Sequence, residues 1–266
     1  MLQKRFLILI AILVILIGAA PAIAITNGEP DNGAHPQVGL AVMYDAAGNP
    51  LWRCSGTMIA PKVFLTAGHC TEAPAASAEI WFDDYVKNTA EGGHYPYPGR
   101  DSIHGYSVLT HPQYNPNAFY LYDAGIILLR QKGPGPYAKL PQQGILDKLA
   151  NNSTHQDTFI TAVGYGLQRS NPVFVEAFRL RLRAELRIID VKGTAGIPAG
   201  TSVMLSNNAN TGGTCFGDSG GPLFLNNTLT VVAVTSFGLN GNCAGTGGGY
   251  RIDQPDDLTW INSFLK

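Results

Sequence analysis

Charge is scarce in this sequence. Asp, Glu, Lys and Arg make up 14% of the 266 residues, and eighteen basic against nineteen acidic side chains leave a formal net charge of −1. Nothing in that balance points to nucleic acid or another polyanion as a partner. With so little charge and 45% hydrophobic residues, the composition is not that of a disordered chain. Cysteine is also rare: there are four, Cys54, Cys70, Cys215 and Cys243. No two stand at the short Cys-x-x-Cys spacing that structural zinc sites favour. Beyond residue 24 no apolar run is long enough to cross a bilayer, and no repeat or low-complexity tract interrupts the chain. The length fits one large domain or two small ones.

What the sequence does have begins at its N-terminus. Lys4 and Arg5 precede an apolar run from Phe6 to Ala20, followed by Pro21 and Ala22-Ile23-Ala24. A basic head, an apolar middle and small residues three and one places before a cleavage point describe a secretory signal peptide over 1–24. An uncleaved membrane anchor is the competing reading, since the run approaches the roughly 20 residues that span a bilayer. The Ala-Ile-Ala ending favours cleavage, which places the mature protein outside the cytoplasm, extracellular or periplasmic, with no membrane contact. In an exported chain four cysteines read as two disulfides, and spacing alone leaves three pairings open.

The mature part, 25–266, carries most of the 31 glycines and 17 prolines, which punctuate short apolar or β-branched runs. Val38–Met43, Val63–Thr66, Ile80–Phe82, Ile126–Leu129, Phe159–Val163 and Thr230–Thr235 read as strands. From 180 to 188 apolar residues alternate with Arg181, Arg183, Glu185 and Arg187, the pattern of a half-buried strand with a wet face. Only the end is helical: Pro255 suits a first helical position, Asp256 and Asp257 suit the positive end of the dipole, and Leu258, Ile261 and Leu265 recur at helical spacing. The Gly- and Pro-rich stretch 133–141 is a candidate link between two lobes. Periodicity alone yields an all-β sandwich or barrel.

Three segments carry chemistry: Thr66-Ala67-Gly68-His69-Cys70, Tyr122-Asp123-Ala124-Gly125, and Gly217-Asp218-Ser219-Gly220-Gly221-Pro222. Their order, His then Asp then Ser, is one of the three known for a nucleophilic serine triad. A serine hydroxyl is a weak nucleophile and needs an adjacent base, itself oriented by a third group. On these motifs the chain resembles the trypsin/chymotrypsin serine protease family along nearly all its mature length. It departs from that family's Thr-Ala-Ala-His-Cys by the glycine at 68. The resemblance implies an all-β fold of two packed antiparallel six-stranded β-barrels with a C-terminal α-helix. The first barrel falls at about 25–135, the second at about 136–252 and the helix at about 255–265.

The same resemblance implies His69, Asp123 and Ser219 as catalytic residues and the N–H groups of Gly217 and Ser219 as the oxyanion hole. Ile25-Thr26-Asn27-Gly28 is similar to the family's activating N-terminus, so the Ile25 amine is expected to pair with Asp218. Signal cleavage before Ile25 would create that amine without a separate propeptide. Disulfides Cys54–Cys70 and Cys215–Cys243 are implied, as is a specificity pocket of Gly213, Ser236, Phe237, Gly238 and Gly248. With no carboxylate at 213, a large apolar side chain before the scissile bond is the expected preference. The implied protein is a monomeric secreted serine endopeptidase acting on proteins or peptides, with no cofactor and no metal. The alternative is an inert binding or adhesion protein on the same fold. His94, His104 and His111 match no zinc spacing, and Asp83, Asp84 and Glu91 are the carboxylates a calcium ion would use.

Overall fold

The computed structural model describes residues 25–150, 158–171, 174–191, 196–208 and 211–265; residues 1–24, read from the sequence as a signal peptide, lie outside them. Fifteen strands are described: β1 Glu29–Pro30, β2 Val38–Tyr44, β3 Pro50–Ala60, β4 Val63–Thr66, β5 Ser77–Trp81, β6 Ile103–Thr110, β7 Gly125–Leu129, β8 Phe159–Gly164, β9 Arg169–Asn171, β10 Phe174–Glu176, β11 Leu182–Asp190, β12 Ser202–Asn207, β13 Pro222–Leu225, β14 Val231–Gly238 and β15 Gly245–Arg251. Helices are few and short: α1 Gly68–Thr71, α2 Ile145–Ala150 and α3 Pro255–Asn262.

Two closed antiparallel barrels account for nearly all of the sheet. The first runs β2-β3-β4-β7-β6-β5 and closes through β2 against β5. The second runs β11-β12-β15-β14-β13-β8 and closes through β8 against β11. Closure pairs the first and last strands of each barrel, removing the long open edges of a flat sheet. All seven residues of β2 are buried, because this strand faces its own barrel's core on one side and is covered on the other. Strand β11 keeps the alternation read from the sequence: Leu182, Ala184 and Leu186 are buried, while Glu185 and Arg187 are exposed.

Two features differ from expectation. Residues 29–30, placed by the sequence in the first lobe, pair with β11 of the second barrel, Glu29 opposite Arg183. Arg181, assigned to the wet face of a strand, is buried instead. It lies just before β11 and reaches the loops of the first barrel. There it donates to Asp31 at 3.0 Å, to the Val38 and Phe82 carbonyls at 3.1 and 2.8 Å, and to Asp84. Alternation fails here because two carboxylates from the other half of the chain satisfy the guanidinium where water would otherwise be needed. The terminal helix forms where expected. Ile261 is fully buried, and Trp260, Phe264 and Leu265 pack against the cluster that contains the first barrel's core.

Candidate active site

Strand pairing does the first part of the assembly. Strand β4 pairs with β7, Thr66 opposite Gly125, so the chain leaving β4 and the chain entering β7 meet. His69 stands on α1, three residues past the end of β4, and Asp123 two residues before β7. The sequence position 68 is glycine for a local reason. A Cβ there would lie 3.1 Å from the Tyr114 ring and 3.2 Å from Asp123 Oδ1. Before Asp123, Tyr122 adopts φ +54°, an unfavourable conformation for a bulky residue, with its ring stacked on His111 at 5.0 Å.

Asp123 is fully buried and accepts from three donors. The His69 backbone N–H reaches Oδ1 at 2.8 Å, His69 Nδ1 lies 2.9 Å from Oδ2, and the Ser236 hydroxyl donates to Oδ2 at 2.5 Å. With Nδ1 directed at the carboxylate, the proton belongs on Nδ1 and Nε2 is left as the basic nitrogen. Burial pulls the imidazole pKa down. The Asp123 charge, its hydrogen bond and the more distant Glu72 overcome that effect and leave the pKa raised. Ser219 and His69 line the same cavity, of about 360 Å³. Among the described residues no direct hydrogen bond joins them, and sites without substrate often hold this contact long.

The turn around Ser219 is held from the first barrel. Ser55 N–H donates to the Ser219 carbonyl at 2.8 Å, and the Ser55 hydroxyl donates to the Gly217 carbonyl at 2.8 Å. The Tyr165 N–H in turn donates to that hydroxyl at 2.9 Å. Gly217 has φ +94°, open to glycine and strained for other residues. Ser55 was missed by sequence reasoning, and the only signal was a polar residue directly after Cys54 inside an apolar strand. Asp218 is buried, with one oxygen accepting from Gly166 N–H at 2.7 Å and the other from Cys215 N–H at 2.9 Å. Burial pushes its pKa up to about 6, against the pull of those two N–H groups and of Arg53. Ile25 is fully buried in the second barrel's core, at φ +39°. Among the described residues no hydrogen bond or ion pair joins it to Asp218.

Both disulfides, Cys54–Cys70 beside His69 and Cys215–Cys243 across the cavity wall, are present. Of the expected pocket residues, Ser236, Phe237 and Gly238 line the cavity, with Thr214, Phe216 and Cys243. Gly213 and Gly248 do not line it. A Cβ on Gly248 would meet the Phe237 ring at 2.2 Å, so this glycine underlies the aromatic ring. Gly247, one residue earlier, faces Thr214 instead. The glycine run 247–249 offers no landmark from which sequence reading could fix that register. The other histidines are engaged separately: His94 with Asp101 at 2.7 Å, His104 with Glu79 at 2.8 Å, and His111 between Tyr122 and Trp260. Of the calcium candidates, Asp84 and Glu91 are paired with Arg181 and Arg179.

A two-barrel fold with a buried Asp–His pair and a serine opening on one interbarrel cavity defines a serine hydrolase of the double-barrel type. The family model described as Trypsin matches residues 25–261, and the chain belongs to that family of serine endopeptidases, whose substrates are peptides or proteins. Serine protease Hayan of Drosophila melanogaster is 26% identical over 93% of this chain, which spans 39% of Hayan's length. Chymotrypsin-like elastase family member 1 of Canis lupus familiaris is 28% identical over 74% of this chain and 75% of its own. The solved structure of HL collagenase superposes with a TM-score of 0.69 at 22% identity, covering 90% of this chain and 99% of that one. That likeness concerns the fold.

Proposed function

We propose that this protein is an exported endopeptidase in which His69, Asp123 and Ser219 cleave peptide bonds through an acyl-enzyme, with large apolar side chains preferred before the scissile bond. The observation that carries the reading is the buried Asp123–His69 pair opening on the cavity that holds the Ser219 hydroxyl. Substrate binding brings Ser219 Oγ to the carbonyl carbon while Nε2 of His69 takes the hydroxyl proton. The oxyanion so formed accepts from the N–H groups of Gly217 and Ser219. Each such donor is worth about 2.7–4 kcal/mol in the transition state. Collapse of the tetrahedral intermediate breaks the C–N bond, and His69 returns the proton to the leaving amine. Water then repeats the sequence on the ester, releasing the acid and restoring Ser219. Asp123 stays ionised throughout and stabilises the transient imidazolium.

Export and activation belong to one event in this reading. Removal of residues 1–24 frees the Ile25 amine for Asp218, whose carboxylate otherwise sits buried with two N–H donors and no nearby ammonium. The family match beginning at residue 25 supports that boundary. A fluorophosphonate probe tests the catalytic assignment. One equivalent is expected on Ser219, with labelling abolished by Ser219→Ala and slowed by His69→Ala. A folded protein that takes up no label is an inert binder, and the proposal then fails. N-terminal sequencing of exported material tests the second part, with Ile25 expected as the first residue.

A further inference from the structure

One histidine outside the triad grips the turn that carries Asp123 from both sides. His111 directly follows β6 and is 4% exposed. Its ring lies on the ring of Tyr122, 5.0 Å between centroids and 10° from parallel. Its backbone N–H donates to the Ala124 carbonyl at 2.9 Å. The turn between these two grips is tight: Tyr122 sits at φ +54°, and the Ala124 N–H donates back to the Tyr122 carbonyl at 2.8 Å. Such a backbone conformation is unfavourable for a bulky residue and persists only where the surroundings hold it.

The imidazole is itself held by the terminal helix. Trp260 of α3 meets it edge-on at 4.9 Å, and Nε2 lies 3.9 Å from Oδ1 of Asp257, also on α3. Asp257 is fully buried and receives the Tyr250 hydroxyl, at 2.9 and 2.8 Å from its oxygens. Nδ1 of His111 accepts from the Gln113 N–H at 3.3 Å, which leaves the ring proton on Nε2, on the side of the carboxylate. Burial lowers the pKa of the ring, against the pull of Asp256, so the imidazole is neutral where the enzyme works.

We infer that His111 is a positioning residue for catalysis: its ring clamps Tyr122 against the terminal helix and thereby fixes the Asp123 carboxylate beside His69. The inference rests on the proposed roles of Asp123 and His69. Misplacing a catalytic group by about 1 Å can cost about 10²-fold in rate, so loss of the clamp should lower kcat by about 10- to 100-fold and leave KM nearly unchanged. A second signature follows from the electrostatics. Against the downward pull of burial, the Asp123 charge raises the His69 pKa, and a slackened carboxylate raises it less. Removing a neutral ring takes no charge away, so a shift in the His69 titration reports the displacement of Asp123.

The test is steady-state kinetics across pH on the mature enzyme, with active sites counted by fluorophosphonate titration and stability followed by urea unfolding. His111→Ala should lose about 10- to 100-fold in kcat per active site and move the acid limb of kcat/KM to lower pH. His111→Phe keeps the stack and should return both close to wild type. Tyr122→Gly removes the other ring and suits the positive φ. In that background His111→Ala should cost less than about 2-fold further. A wild-type kcat with an unmoved acid limb in His111→Ala overturns the inference. So does a phenylalanine variant as slow as the alanine one, or full additivity with Tyr122→Gly. If His111→Ala does not fold, Tyr122→Gly and Tyr122→Phe take its place: the first should lose kcat and shift the limb, the second should do neither, and indifference of both refutes the clamp. Wild-type enzyme that takes up no label on Ser219 would be failure of the protease reading, whereas a labelled wild type with indifferent variants is failure of this inference alone.

Discussion

Asp218 carries its charge under protest, and the cost can be measured. Its folded pKa is about 6, against an ordinary value of 3.8. The group is 1% exposed, so solvent offers no screening. Between pH 3.8 and 6 the folded state holds a proton that the unfolded chain has released, and stability falls as pH rises through that window. At 1.36 kcal/mol per pKa unit the loss is about 3 kcal/mol by pH 7. The penalty applies to a chain whose Ile25 nitrogen is an amide. In the proposed pairing, a chain that begins at Ile25 would bring an ammonium to the carboxylate, lowering its pKa and removing most of the penalty. The perturbation is therefore a single residue: one protein starting at Ile25, a second starting at Ala24. Urea unfolding from pH 4 to 7 should show stability declining by about 3 kcal/mol in the Ala24 form and little or no decline in the Ile25 form. Asp218→Asn should flatten the Ala24 profile. Identical pH profiles for the two chains would refute the pairing of Ile25 with Asp218.

Other expectations follow from the same geometry. Asp123→Asn removes the partner that holds His69 Nδ1–H and raises the imidazole pKa. It should lower kcat by roughly 10³–10⁴-fold and move the acid limb of the kcat/KM profile to lower pH, since a protonated His69 cannot accept the Ser219 proton. Ser55→Ala strips the Gly217 carbonyl and Tyr165 N–H of their shared partner. With the turn that would form the proposed oxyanion hole loosened, steady-state kinetics should show kcat reduced by about 10-fold and KM nearly unchanged. An unaltered kcat would relegate Ser55 to packing. Arg181→Met leaves buried Asp31 with His35 as its remaining side-chain partner and should cost about 3 kcal/mol in urea unfolding. Adding Asp31→Leu should recover part of it.

The segments that supply the proposed triad stand out in the sequence because the chemistry they would carry tolerates few residue types, and short motifs report that constraint directly. Strand β4 was read to the residue, since Val63–Thr66 is an unbroken apolar and β-branched run between turn formers. Strand β5 was read late: it begins at Ser77, where Ser77 and Glu79 hide its start from an apolar count. Arg181 was misplaced because alternation reports the neighbouring strand and is blind to Asp31, 150 positions away. Ser55 escaped for a related reason: its importance lies in the Gly217 carbonyl it meets across the fold, which a local window does not contain.

The pairing of β1 with β11 means that the architectural seam and the covalent midpoint do not coincide. Severing the backbone somewhere in 133–141 would yield an amino-terminal piece whose leading residues are shaped for the other piece. Such fragments carry a built-in clasp, Glu29–Pro30 lying along Leu182–Arg183 and Arg181 hooking back onto Asp31. The two hubs are thereby tied to each other by backbone pairing and by a buried ion pair, and they are expected to unfold together.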